Sequence, residues 1–156
     1  MLTEAEFNEA AERYLNMVYR IALNWFGNVP DAEDAAQTVM LRLWQTDTQF
    51  ADDGHLRRWL VRVTLNACRD VSRSPWRRRT VPLEECREPA FEDPGRQRLY
   101  EEVMALPAKY RLPLYLYYYE GYAVAEVGEL LGLKPSTVQT RLARAREKLR
   151  GSLMEE

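Results

Sequence analysis

The 156-residue sequence predicts an all-α fold: two small helical domains joined by a flexible linker, the C-terminal one containing a helix-turn-helix. Three observations predict it. Apolar residues recur at helical spacing through most of the chain. That period lapses for long between Ser74 and Asp93, where prolines cluster. Near the end, a helix-stopping glycine and a helix-starting proline divide two apolar stripes.

The first helix is read from Phe7, Ala11, Tyr14, Val18, Ile21 and Trp25, which step by four and three until Gly27 ends the pattern. Asp31 to Trp44 follows as a second helix. It carries Ala35, Val39 and Leu43 on one face, with Ala32, Ala36 and Met40 beside them. Its first turn bears Asp31, Glu33 and Asp34, which suit the positive end of a helix dipole. A loop from about Thr46 to Gly54 leads to a third helix. There Leu56, Trp59, Leu60, Val63, Ala67 and Val71 are expected inward, and Arg57, Arg58, Arg62, Arg69 and Arg73 largely outward. These three helices form a bundle over residues 1–74.

Pro75, Pro82, Pro89 and Pro94, mixed charge and no sustained period make residues 75–94 the linker. The second domain, 95–156, opens with a helix carrying Leu99, Val103 and Leu106. Another helix follows with Leu112, Leu116 and Tyr119, read as core in preference to a surface for a partner, the strand propensity of Tyr115 to Tyr119 being outweighed by its helical surroundings.

A helical stretch from Tyr122 to Leu131 then carries Val124, Val127, Leu130 and Leu131 on one stripe. After the Gly132-Leu133 turn, Val138, Leu142, Ala145 and Leu149 form a second. Gly132 stands where a helix end needs left-handed backbone angles, and Pro135 where a missing amide hydrogen costs nothing. A short turn between two such stripes fits two helices crossing steeply. Thr137, Gln139, Thr140, Ala143 and Arg144 avoid the stripe and include donor types that read base edges in a major groove.

Hydrophobic residues make up 46% of the chain without a long apolar run, so a soluble globular protein is expected. No secretion signal is read at the N-terminus, which places the protein in the cytoplasm without membrane insertion. With two cysteines, Cys68 and Cys86, and His55 as the single histidine, neither a metal site nor a cofactor is expected. Cys68 is read as a core thiol. The net charge of −2 conceals blocks: residues 57–79 hold eight bases against one acid, and residues 134–150 six against one. Residues 1–56 hold ten acids against three bases, and residues 80–133 ten against five. Two basic segments in an acidic chain are an electrostatic footprint for phosphate.

At this point the chain resembles the extracytoplasmic-function (ECF) group of bacterial sigma factors, over nearly its whole length. DAEDAAQTVMLRLW, from Asp31, resembles the family's polymerase-binding helix, and HLRRWLVRVTLNACRDVSR, from His55, its promoter-melting helix. LPAKYRLPLYLYYYEGYAVAEVGELLGL, from Leu106, with STVQTRLARAREKLR, from Ser136, resembles its C-terminal domain. Three such segments in order, across a proline-rich linker, are specific where one helix-turn-helix is not.

The resemblance implies a protein that binds core RNA polymerase, recognises duplex −35 DNA and single-stranded −10 DNA, and has no enzymatic activity of its own. It assigns polymerase binding to Asp31, Asp34, Gln37, Leu41 and Trp44. It assigns capture of a flipped −10 base to the loop Gln49 to His55, with Phe50 and Asn66 lining the pocket. His55, Arg62, Arg69 and Arg73 lie beside that base, and Trp76, Arg77, Arg78 and Arg79 continue the phosphate track. At −35, Gln139, Thr140, Ala143 and Arg144 face bases, while Lys134, Ser136, Arg141 and Arg146 mainly hold phosphates and Thr137 joins the same DNA-binding set. An anti-sigma factor covering these surfaces is a further implied partner.

The chain departs from the family at Lys134, whose side chain cannot cap the recognition helix, and at Gln139, where a base is common. It departs again at Arg57 and Arg58, where aromatics are common. From the residues alone, a free-standing helix-turn-helix regulator or a protein-interaction adaptor with basic faces remains open. An enzyme is the weakest reading, since no carboxylate pair, nucleophile triad or phosphate loop is interpretable.

Overall fold

The computed structural model describes residues 1–73 and 93–154, with side chains to Ser152. The linker arginines Arg77, Arg78 and Arg79, with Trp76 and Cys86, fall outside the described residues. The chain divides into two compact units, Met1–Cys86 and Arg87–Glu156. All elements among the described residues are helices.

In the first unit α1 (Glu4–Phe26), α2 (Val29–Gln45) and α3 (Asp53–Ser72) pack mutually. Each start has a chemical cause. Thr3 and Glu6 form a reciprocal capping box, the backbone bond from Thr3 holding the Glu6 carboxyl below its ordinary value. The Asn28 side chain accepts from the Asp31 amide at 2.9 Å, and Asp52 from the His55 amide at 2.7 Å. Gly27 ends α1 at φ 78, a left-handed angle that suits glycine.

The core joins Val18 and Ile21 of α1, Val39 and Leu43 of α2, and Leu60, Val61 and Leu65 of α3. Of the six α3 residues expected inward, Leu60 and Ala67 are buried, whereas Leu56, Trp59, Val63 and Val71 are half-buried. Val61, Thr64, Leu65 and Cys68 take the deeper places. The reason is tertiary: α3 packs against both α1 and α2, so its buried face is wider and rotated from the stripe. Thr64 tolerates burial because its hydroxyl donates to the Leu60 carbonyl at 2.6 Å.

Burial pushes the Cys68 thiol up to about 12. The folded chain keeps this proton where an unfolded thiol, near 9, releases it, so this group's stabilising contribution declines as pH climbs above about 9. A thiol-alkylating reagent at pH 8 is therefore expected to label Cys68 at the rate of unfolding. Immediate labelling of the native protein at this position would refute the burial.

The second unit contains α4 (Pro94–Ala105), α5 (Ala108–Tyr118), α6 (Val124–Leu131) and α7 (Pro135–Met154). Pro94, expected in the linker, instead occupies the first turn of α4, where its fixed φ is helical, and Asp93 accepts from the Gly95 amide at 2.8 Å. Leu99, on the expected helix, is 47% exposed, and α4 buries none of its residues; Leu106, just past its end, is buried. Leu112 and Leu116 are core as expected, but Tyr119 caps α5 outside it, 63% exposed. The α6 helix begins at Val124; Tyr122 is buried in the preceding loop and its amide donates to the Leu116 carbonyl at 3.1 Å.

Buried Arg111 was not foreseen as a structural residue. Its guanidinium donates to the carbonyls of Met104 and Leu106 at 2.9 and 3.1 Å, closing the C-terminal end of α4, and burial lowers its pKa. No helix among the described residues is long and apolar enough to cross a membrane.

Candidate nucleic-acid interface

The turn between α6 and α7 is built by backbone. Gly132 sits at φ 70, and the amides of Gly132 and Leu133 both reach the Gly128 carbonyl, the latter at 2.8 Å. Gly128 is buried beneath this turn. A Cβ there would stand 2.5 Å from the Leu133 carbonyl oxygen, so this close approach requires glycine. Lys134 starts α7 through its own carbonyl, which accepts from the amides of Thr137 and Val138 at 2.9 and 3.1 Å.

Val138, Leu142 and Ala145 turn inward against the unit's core. That leaves Lys134, Ser136, Gln139, Thr140, Ala143, Arg144 and Arg146 exposed, with Thr137 and Arg141 half-buried at the margin. The expected base-facing and phosphate-facing residues thus share the outward side of one helix. The Thr140 hydroxyl donates to the Ser136 carbonyl at 3.0 Å, which keeps its oxygen as an acceptor towards a ligand.

Two tyrosines of α5, missed at the level of sequence, engage the arginines of α7. The Arg144 guanidinium, hydrogen-bonded to the Tyr110 hydroxyl, holds that phenol below its ordinary value, and Lys109 and Lys148 lie 5.0 and 5.6 Å from the Tyr110 ring centre. Arg146 Nη1 donates to the Tyr118 hydroxyl at 2.7 Å. Helical periodicity carries no signal for contacts made across elements.

In the first unit, Trp59, Arg62, Asn66, Arg69 and Arg73 share one side of α3 by their spacing of three and four. Asn66 Oδ1 accepts from Arg69 Nη1 at 3.0 Å, and the Arg69 guanidinium lies 5.8 Å from the Trp25 ring centre. Half-buried Phe50 packs edge-on against both His55 and Trp59, ring centres 5.3 and 5.4 Å away. His55 Nδ1 accepts from the Ala51 amide at 3.0 Å, which steadies the loop further. Asn66 lies seven residues beyond Trp59 on the same side of α3, about 10 Å along the helix axis, and Phe50 packs at the Trp59 end.

Phe50 also borders a cavity of about 410 Å³ that includes Gln49, Tyr14, Arg13 and Asp53. Tyr14 and Arg13 each take one Asp53 oxygen, Arg13 at 2.7 Å, and these bonds, Tyr14's foremost, hold the carboxyl below its ordinary value. Glu6, Glu9 and Asp52 make the same wall predominantly acidic.

Asp31, Asp34, Gln37, Leu41 and Trp44 fall on one face of α2 at spacings of three and four. Leu41 is 54% exposed and Trp44 40% exposed, the latter edge-on to Phe7 at 5.2 Å. Trp44 therefore leans on the bundle and still offers area outward. Asp31 is half-buried and accepts from the Asn28 side chain at 3.0 Å, so its first role is at the helix start.

Comparison with known proteins adds to this geometry. The family described as Sigma-70 region 2 matches residues 10–78, and Sigma-70, region 4 matches residues 96–149. ECF RNA polymerase sigma factor SigE of Mycolicibacterium smegmatis is 32% identical over 94% of this chain, which spans 61% of that protein's length. SigM of Mycobacterium tuberculosis is 30% identical over 92% of this chain and 74% of its own. Among solved structures, CnrH in complex with the cytosolic domain of CnrY aligns with TM-score 0.61 at 25% identity. It covers 97% of this chain and 89% of that one. The sigma factor RpoE in complex with the anti-sigma factor NepR, from Bartonella quintana, aligns with TM-score 0.69 at 19% identity. It covers 96% of this chain and 98% of that one, and shows the shared fold.

Proposed function

The chain belongs to the ECF RNA polymerase sigma factors, and we propose that it binds core RNA polymerase and directs promoter-specific transcription initiation. The observation that carries the reading is the outward face of α7, where Gln139, Thr140, Ala143 and Arg144 stand clear of a core made by Val138, Leu142 and Ala145. Docked in a major groove, that face reads −35 bases while Lys134, Ser136, Arg141 and Arg146 hold flanking phosphates. Residues 95–156 then serve −35 recognition, residues 1–74 serve polymerase binding and −10 opening, and residues 75–94 connect them.

Melting follows from binding alone. Unstacking a base costs a few kcal/mol, offset by a stacking surface and a cationic track that hold the single strand. In the first unit these are Phe50, against His55 and Trp59, and the face of Arg62, Asn66, Arg69 and Arg73. No nucleotide hydrolysis enters, and the chain is not an enzyme. Core polymerase docks on Asp34, Gln37, Leu41 and Trp44, with Asp31 at the end of that face. Once it holds both units, the second DNA contact becomes effectively intramolecular. The protein acts in the cytoplasm, where its polymerase and promoters are. The solved neighbours CnrH and RpoE are each in complex with a CnrY or NepR partner, which supports an anti-sigma factor as a third partner here. A free-standing regulator is the weaker reading, because the curated relatives quoted above are sigma factors over more than nine-tenths of this chain.

The test separates opening from binding. With core polymerase on a responsive promoter, Phe50→Ala and Asn66→Ala are expected to lower permanganate reactivity of unpaired thymines at −10 severalfold more than they lower closed-complex formation. Equal loss of core binding in both variants would contradict the assignment.

A further inference from the structure

Arg146 continues an exposed stripe of α7 with Gln139, Ala143 and Arg150, at i, i+4, i+7 and i+11. Tyr118, the last residue of α5 and 57% exposed, meets that stripe from another helix, its hydroxyl oxygen accepting from Arg146 Nη1 at 2.7 Å. A phenol that accepts one N–H retains its own O–H to donate, and a guanidinium has five N–H donors, of which this contact uses one. Beside each other they present a neutral and a cationic donor on one spot.

The surroundings keep that spot intact. The Tyr118 ring is braced edge-on by Tyr117, ring centres 4.9 Å apart at 88°. Glu120, an acid two residues along, accepts from the Tyr115 hydroxyl at 2.5 Å, which engages its carboxylate with Tyr115. Paired neutral and cationic donors at the edge of a base-reading helix are the chemistry that duplex phosphates accept.

We infer that Tyr118 and Arg146 form one binding unit for a DNA phosphodiester, in which Tyr118 both orients Arg146 and donates to the phosphate. The unit lies at the edge of the stretch read by Gln139 and Ala143, and the inference rests on the −35 reading proposed above. It adds to the recognition surface a residue from α5, outside the two helices of the motif.

The test uses full-length protein assembled with core polymerase, on a promoter drawn from a transcribed library, with closed-complex affinity measured through a salt series. Tyr118→Phe keeps the ring and its packing, and is expected to weaken binding roughly 3- to 10-fold, the worth of one hydrogen bond. The loss should be equal across −35 sequences. Arg146→Ala is expected to flatten the log-affinity against log-salt slope by about 0.9, one phosphate's share. The double variant should lose less than the product of the two single losses.

Tyr118→Phe binding DNA like the unaltered protein overturns the inference. So does an equal loss in binding of core polymerase without DNA, which would make this a protein-contact surface. Failure of the unaltered assembly to bind any promoter would instead sink the −35 reading itself, and the inference with it.

Discussion

Arg144→Ala is expected to reduce −35-dependent initiation by about 10- to 100-fold while leaving the affinity for core polymerase unchanged. A bidentate contact from arginine to a base edge is worth about 1–3 kcal/mol of discrimination, and each 1.4 kcal/mol is about tenfold. Arg144 has the position for it: exposed, and one helical turn from Thr140. Polymerase binding should be spared because Asp34, Gln37, Leu41 and Trp44 are on α2 of the other unit. Initiation assays on promoters altered at single −35 positions check this. The variant should lose its preference at one position and keep the others, and a uniform loss at every position would demote Arg144 to a phosphate contact.

The second large effect is on the turn itself. Gly128→Ala would place a methyl group 2.5 Å from the Leu133 carbonyl oxygen, backbone that cannot swing aside as a side chain does. Relief requires the α6–α7 turn to open, straining the bond from the Leu133 amide to the Gly128 carbonyl at 2.8 Å and displacing α7 from the core position of Val138. Overpacking of this kind costs about 1–3 kcal/mol. In a unit of this size each kcal/mol lowers a melting midpoint by roughly 4–8 °C. Gly151→Ala is the control, since a Cβ there meets nothing within 4 Å and alanine favours the helix. Thermal denaturation followed by circular dichroism should separate the two, with loss of −35 recognition in Gly128→Ala. Matching midpoints for both variants would show that the turn has room to spare.

Features set by local backbone chemistry were legible in the sequence. Gly27, Gly132 and Pro135 act at their own positions, and α1 and α7 end or begin there as expected. The inward stripe of α7 was legible for the same reason: α7 buries its side chains on one side, and Val138, Leu142 and Ala145 hold the period. The stripe of α3 misleads. On α3, the burial of Val61, Thr64, Leu65 and Cys68 depends on α1 and α2 together, which no single-helix period encodes. Leu99 and Tyr119 fail in the opposite sense, being apolar or aromatic at plausible spacing yet facing outward.

The candidate site divides in the same way. Outward residues of α7 followed from the stripe opposite them, whereas the α2 residues were assigned by resemblance. The Tyr118–Arg146 pair joins residues 28 apart, and Tyr14 with Asp53 joins residues 39 apart. Neither has a local signature. Phe50 and Asn66 were assigned to one pocket by resemblance, and the two helical turns between Trp59 and Asn66 emerge once Phe50 is seen packed on Trp59.

Run-off transcription from a promoter library, with bacterial core polymerase and with or without this protein, tests the central claim most directly. The account predicts new transcripts that share one sequence at −35 and another at −10, a fixed distance apart, and that require both protein and polymerase. Absence of stimulation by folded protein with a compatible core, or selection of a palindromic site bound without polymerase, would contradict it.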